Sequence, residues 1–317
     1  MKKTMFFATL VFLLFSLEAN AQNGRILEKK PYSIPDTSLL KIEKRIPQAR
    51  AILANVDLFR ITYLSDGLKV KGYMSMPKKS GKYPCILFNR GGNREFGKLG
   101  DMSLVRFLAE MSNWGYVVVA SQYRGNDGGE GKEEFGGKDV HDILNLIPML
   151  SNVEMADTSR IGMFGWSRGG MMTYLSLTQT SRIKAAVVGS GMADAFLQTR
   201  KRPEMKTMFS ELIPEYAMNP DSVLKTRSAV YWADKICPTT PLLILAGSSD
   251  WRVSHDEAFE MVQKLNDIHH PVRFSFYEGG EHSLMEHVDE VNHDVRLFLD
   301  QYVRDRKAMP DMKPHGN

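Results

Sequence analysis

A chain of 317 residues, 43% of them hydrophobic, can hold one large α/β domain or two small ones and bury a sizeable core. Its formal net charge of +4 is mild, and no Lys/Arg run exceeds the triplet Arg200-Lys201-Arg202, which reads as a solvated face. Without a basic stripe carrying interleaved aromatics, or a reader motif, nucleic acid is set aside as a partner.

The chain opens with Lys2 and Lys3, an apolar run over residues 5–17, and Ala19-Asn20-Ala21 in small-x-small form. This is the pattern of a signal peptide over residues 1–21, cut after Ala21. The run is shorter than the ~20 residues a bilayer span needs, and no cysteine stands at the cleavage site to take a lipid. A periplasmic or secreted protein with no stable membrane anchor is therefore expected. Cys85, inside an apolar strand, and Cys237, just before another, read as buried thiols rather than a bridge.

Residues 22–58 form an N-terminal extension. Its first part, 22–40, is polar and loop-like, while Ile42, Ile46, Ala49, Ile52 and Leu53 fall near helical spacing and Pro47 marks a helix start. From Phe59 the period is two: segments 59–64 and 68–76 flank Ser65-Asp66-Gly67, which predicts a hairpin at the antiparallel edge of a sheet. Apolar strands then follow at 84–88, 116–120, 160–164, 185–188, 242–246 and 272–276, separated by helical patterns that include 104–114, 140–150 and 168–178. Continuous apolar strands between helices imply a mostly parallel central sheet flanked by helices, an α/β domain over residues 59–304. Residues 192–236 lapse into Met-rich, helical-looking sequence, read as a helical cap inserted above the strand ends, with an ordinary connection as the alternative. The tail, 305–317, carries Pro310, Pro314 and Gly316 and should fray.

Gly165-Trp166-Ser167-Arg168-Gly169 gives Gly-x-Ser-x-Gly between a strand and a helix, the context of a strained nucleophile turn. A serine hydroxyl is a poor nucleophile, so Ser167 needs a base and a carboxylate to orient that base. Asp250 lies in the loop after strand 242–246, and His282 in the glycine-rich loop after strand 272–276. The order Ser, Asp, His is that of α/β-hydrolases. Asp250 could instead cap a helix, but Ser254, with Glu257 three residues on, fits that task better. His269 and His270 sit in a loop before Pro271, and His287 and His293 in the last helix, so none follows a strand. The oxyanion donors expected are the N–H of Arg168 and that of Gly91 or Gly92 in the loop after strand 84–88. His282, Glu286 and His287 are spaced one residue too far apart for an inverted zincin, and Glu133 after Gly131-Lys132 spoils a phosphate loop, so neither metal nor cofactor is expected.

With Tyr123-Arg124-Gly125 and the glycine-rich run to Gly137 added to these motifs, residues 59–304 resemble the catalytic domain of the prolyl oligopeptidase family, α/β-hydrolases that are serine peptidases. The resemblance implies cleavage of short peptides through an acyl-enzyme. Two departures stand out. Arg90 occupies the place of the usual His in His-Gly-Gly, and residues 22–58 leave no room for the N-terminal β-propeller with which large members restrict their substrates. A carboxylic or carbohydrate ester is therefore the alternative substrate. A catalytically silent hydrolase fold used for binding is the reading of another class, against which the complete Ser-Asp-His set argues.

Overall fold

The computed structural model describes residues 23–316, so the leader expected over 1–21 lies outside the described residues. β1 (Ile26–Pro31) leads through α1 (Asp36–Glu43) and α2 (Ala49–Ala54) into the hairpin β2 (Val56–Ser65) and β3 (Leu68–Pro77). The turn places Asp66 at φ 51° and Gly67 at φ 80°, the two left-handed positions that match a two-residue hairpin to the strand twist. β4 (Tyr83–Asn89), a helical segment over 101–113, β5 (Val117–Ser121), α3 (Val140–Leu144), α4 (Leu146–Leu150) and β6 (Ala156–Trp166) follow. The second half runs α5 (Arg168–Leu177), β7 (Ile183–Gly189), α6 (Ala195–Lys201), α7 (Met205–Leu212), α8 (Pro220–Lys225), β8 (Leu242–Gly247), α9 (His255–Asp267), β9 (Val272–Tyr277) and α10 (Val288–Leu299).

The nine strands form one sheet in the order β1-β2-β3-β5-β4-β6-β7-β8-β9, antiparallel from β1 to β5 and parallel from β5 to β9. This is the α/β-hydrolase architecture expected. The strands read as continuous apolar runs because both faces are covered: Cys85 and Leu87 of β4 enter the core shared with α3 to α5, and Ile86 and Phe88 the core shared with α10 and the 101–113 segment.

Two expectations need correction. Residues 22–40 are not merely a loop, since β1 adds a strand outside the hairpin, pairing Lys30 with Arg60 and Pro31 with Phe59. Its side chains are largely exposed and charged, so it has no apolar alternation to read; backbone pairing alone makes it a strand, with lysines that discourage further edge association. The 140–150 helix is broken in two at Asn145, just ahead of Pro148, whose missing N–H interrupts the ladder.

Strand order reverses at β4, with β5 on one side and β6 on the other, so the crevice that binds ligands in open α/β sheets opens above Asn89 and Ser167. Helix α5 crosses this point at backbone contact: a Cβ on Gly169 would lie 1.9 Å from Asn89 O, and one on Gly165 2.0 Å from Gly169 O. Gly169→Ala has no side chain to push aside, only backbone, and should lower Tm by at least about 5 °C. A melting curve superimposable on that of the unaltered protein would show that this crossing can open freely.

Candidate active site

Ser167 stands between β6 and α5 at φ 58°, ψ −123°, a strained conformation for a residue with a side chain. The strain is held from three sides. Its N–H donates to Gly189 O (2.9 Å), and its carbonyl accepts from Gly170 N–H (2.9 Å) and Met192 N–H (3.2 Å). Asn89 Nδ2 donates to Thr173 Oγ1 (2.9 Å), which donates to Gly169 O (2.8 Å), pinning the end of β4 to α5.

The loops after β8 and β9 bring Asp250 and His282 together. Ser248 N–H donates to Tyr277 O (3.0 Å) and Ser249 N–H to Gly280 O (3.0 Å). Gly247 permits that approach, because a Cβ there would lie 2.2 Å from Gly280 O. Asp250 Oδ1 accepts from the N–H groups of Arg252 (2.8 Å) and Val253 (3.0 Å), leaving Oδ2 for His282 Nδ1 at 2.8 Å. A carboxylate only accepts, so Nδ1 carries the proton and Nε2 is left as the acceptor. Trp166 Nε1 fixes the histidine loop by donating to His282 O (3.1 Å). The Asp250 side chain is 2% exposed and that of His282 14%. Ser167 and His282 line one cavity of about 200 Å³, and among the described residues Ser167 Oγ makes no hydrogen bond. A larger cleft of about 650 Å³, between the 125–134 loop and residues 210–218, is lined by neither.

Two of the four competing histidines are occupied elsewhere, and the other two, His269 and His293, are exposed and line neither cavity at Ser167. His287 pairs Nδ1 with Glu290 (2.8 Å) and Nε2 with Glu278 O (3.0 Å), and buried His270 pairs Nε2 with Thr240 O (2.9 Å). Ser254 caps α9 as expected, accepting from Asp256 N–H, but Glu257 is not the other half of a capping box. It is fully buried and accepts from the N–H groups of Ala193 (2.8 Å) and Asp194 (2.9 Å) and from Gln198 Nε2 (2.6 Å), gripping the base of the cap. Burial pushes its carboxyl up to about 8 against the pull of these donors.

Gly91 lies against Ser167: a Cβ there would sit 3.0 Å from Ser167 Cβ. The carbonyls of both loop glycines are turned onto guanidinium groups, Gly91 O onto Arg90 Nη1 (3.0 Å) and Gly92 O onto Arg168 Nη1 (3.0 Å). Their N–H groups have no hydrogen-bond partner among the described residues. Arg90, which stands where a family member would carry His, is 1% exposed and spends its other donors on the carbonyls of Gln122 and Arg94. Burial, aided by Arg168's charge, pulls it down to about 10. It staples the loop after β4 from inside.

The Arg168 side chain plays a part that its sequence position does not announce. It is 2% exposed and ion-paired with Glu133 and Asp139, while Glu133 also accepts from Arg94 N–H. Burial alone would raise Glu133, yet Arg168's charge and hydrogen bond hold it below the usual carboxylate range. Tyr123, at φ 65°, donates to Arg90 O (3.0 Å), and both guanidinium groups pack over its ring. Sequence reasoning missed this cluster because the partners of Arg168 lie 29 and 35 residues away from it, joined to it only by the fold.

The family model for the prolyl oligopeptidase family matches residues 104–306. The chain belongs to the prolyl oligopeptidase family. An uncharacterized peptidase of Bacillus subtilis (strain 168), YtmA, is 31% identical over 229 residues, 72% of this chain and 87% of that protein. Dipeptidyl peptidase family member 6 of Caenorhabditis elegans is 26% identical over 211 residues, 61% of this chain and 28% of that protein. The solved acylaminoacyl peptidase of Pyrococcus horikoshii superposes with a TM-score of 0.69 at 22% identity, covering 81% of this chain and 43% of that one, and so shares the fold. This member of the prolyl oligopeptidase family thus spans most of the Bacillus peptidase and less than half of the other two. No helix among its described residues is long and apolar enough to cross a membrane.

Proposed function

We propose that this prolyl oligopeptidase family member is a serine peptidase working by acylation of Ser167. The observation that carries the reading is the 2.8 Å His282–Asp250 pair, whose histidine lines the same cavity as a serine held at a strained strand-to-helix turn. His282 Nε2 takes the hydroxyl proton as Oγ attacks the scissile carbonyl, then returns it to the leaving amine. Water repeats the cycle in reverse and frees the acid. The N–H of Arg168, with that of Gly91 or Gly92, receives the oxyanion. The names of the relatives favour peptide over ester.

A fluorophosphonate probe should label the protein at Ser167, and aminoacyl p-nitroanilides should be turned over in preference to p-nitrophenyl esters of matched acyl groups. His282→Ala should lose both activities, and His287→Ala should keep both. The reverse pattern would overturn the choice of base, and an unlabelled folded protein would overturn the hydrolase reading itself. Residues 1–21 are proposed as a secretion leader; protein recovered from outside the cytoplasm of a bacterial host should then begin at Gln22, whereas a start at Met1 would refute it.

A further inference from the structure

Two cavities meet at Ser167. His282 must hand a proton to the leaving group, so the cavity that His282 lines is the leaving-group side. The other, of about 80 Å³, is lined by Ser167 without His282 and is the acyl side. Its floor is apolar, made by Phe135, Met192, Met205, Met208 and Val253. Three arginines line it, Arg168, Arg202 and Arg252, and no aspartate or glutamate does; Arg252 stands at the junction and lines the His282 cavity as well, whereas Arg202 lines the acyl side alone.

These arginines are not equally neutralised. Arg168 is spent on Glu133 and Asp139. Arg202 is not part of the solvated face expected for its triplet: Arg200 and Lys201 are 66% and 49% exposed, but Arg202 is 22% exposed and turns into the site. It meets Glu204, itself 62% exposed, at 2.9 Å, a pairing screened by water. Arg252 is half-buried, and its guanidinium makes no hydrogen bond or ion pair among the described residues; its backbone alone is engaged, the N–H donating to Asp250 and the carbonyl accepting from Arg202 Nη1 at 3.3 Å. Both guanidinium groups lie over the Trp251 ring, Arg202 at 5.4 Å and Arg252 at 4.9 Å, and Arg252 also meets Phe96 at 5.5 Å. Stacking holds a guanidinium by its faces, and Arg252 keeps its N–H edges free to take a carboxylate in bidentate fashion, while Arg202, with Nε on Glu204 and Nη1 on Arg252 O, has Nη2 to offer as a single further donor.

We propose that the acyl pocket is built for a substrate whose acyl half carries a carboxylate on a short apolar stem, an acidic side chain beside the scissile carbonyl, with Arg252 as its first partner and Arg202 as its second. The proposal rests on the acyl-enzyme reading for which side of Ser167 is which. The methionines and Phe135 take the stem, and the arginine pair at the rim takes the charge. A free ammonium in that place would face two like charges, so acylated acidic residues are preferred over unblocked basic ones.

The test compares N-acetyl-Glu p-nitroanilide with its neutral isostere N-acetyl-Gln p-nitroanilide. In the unaltered protein kcat/KM should favour Glu by at least about tenfold. That ratio should fall toward one in Arg252→Met, fall part-way in Arg202→Met, and be partly restored in Arg252→Lys. Added salt should reduce it in the unaltered protein. A ratio of one at the outset, a ratio that survives both methionine replacements, or a preference for the carboxylate on the anilide leaving group instead would each overturn the proposal. Calorimetric titration of Ser167→Ala with N-acetyl-glutamate amide and N-acetyl-glutamine amide reads the same preference without catalysis. Tighter glutamate binding with no anilide turnover would therefore sink the peptidase reading and keep the carboxylate site, and equal binding would sink the site.

Discussion

Replacing Ser167 with alanine should lower kcat by about 10⁴- to 10⁶-fold. The magnitude follows from what remains. His282, Asp250 and the oxyanion donors would still be in place, but with no hydroxyl to attack they act only on whatever water enters the cavity. The fold should not notice the change. The strained φ of 58° is no worse for alanine than for serine, the backbone hydrogen bonds at 167 are unaltered, and Oγ supports nothing among the described residues. Tm measured alongside kcat should therefore stay within a few degrees of the unaltered value, and the fluorophosphonate label should vanish. Residual turnover within tenfold of the unaltered protein would place the nucleophile elsewhere.

The second large effect lies away from the reacting atoms. Glu133→Leu removes one of the two carboxylates facing the buried Arg168 and takes away the acceptor for Arg94 N–H. Breaking one side of a buried ion pair typically costs about 3–5 kcal/mol, because the remaining charge keeps its desolvation and loses its compensation. Here Arg90 lies beside the same cluster and adds a like charge, so the imbalance is worse than for an isolated pair. Tm should fall by at least about 6 °C. Activity should fall too, since Arg168 Nη1 joins Glu133 to Gly92 O and so sets the loop whose N–H groups would meet the oxyanion. Glu133→Gln, which keeps the shape and one acceptor, should recover part of both. If Tm dropped in Glu133→Leu while kcat at permissive temperature held, the cluster would be a folding element alone.

What the sequence disclosed depended on how local each signal was. Ser167, Asp250 and His282 each follow an apolar strand, and strands whose two faces are buried are read easily, so the three placements could be made without knowing how the sheet is ordered. The hairpin was equally legible, because Asp66-Gly67 carries its own turn chemistry. β1 was not, since a charged edge strand owes its conformation to the neighbour it pairs with and not to its own pattern. The side chains of Arg90 and Arg168 escaped notice for a related reason. A buried cation looks like a surface cation until its partners are known, and Gln122, Glu133 and Asp139 are brought to it only by the reversal of strand order at β4. Arg202 was lost inside a basic triplet whose other two members do face water.

The cap has a consequence for how such a protein can change. Ser167, Asp250 and His282 all hang from strand ends, whereas Arg202, Met205 and Met208 of the acyl pocket belong to the insertion between β7 and β8, held at its base by Glu257. Part of the selectivity is thereby written on a stretch of the gene apart from the reacting residues, although Arg252 and Val253 stay in the loop that carries Asp250. A graft that exchanges residues 195–225 and keeps Gln198 as a partner for Glu257 would change which acyl groups are admitted without touching the atoms that react, making this segment the natural place to diversify a library.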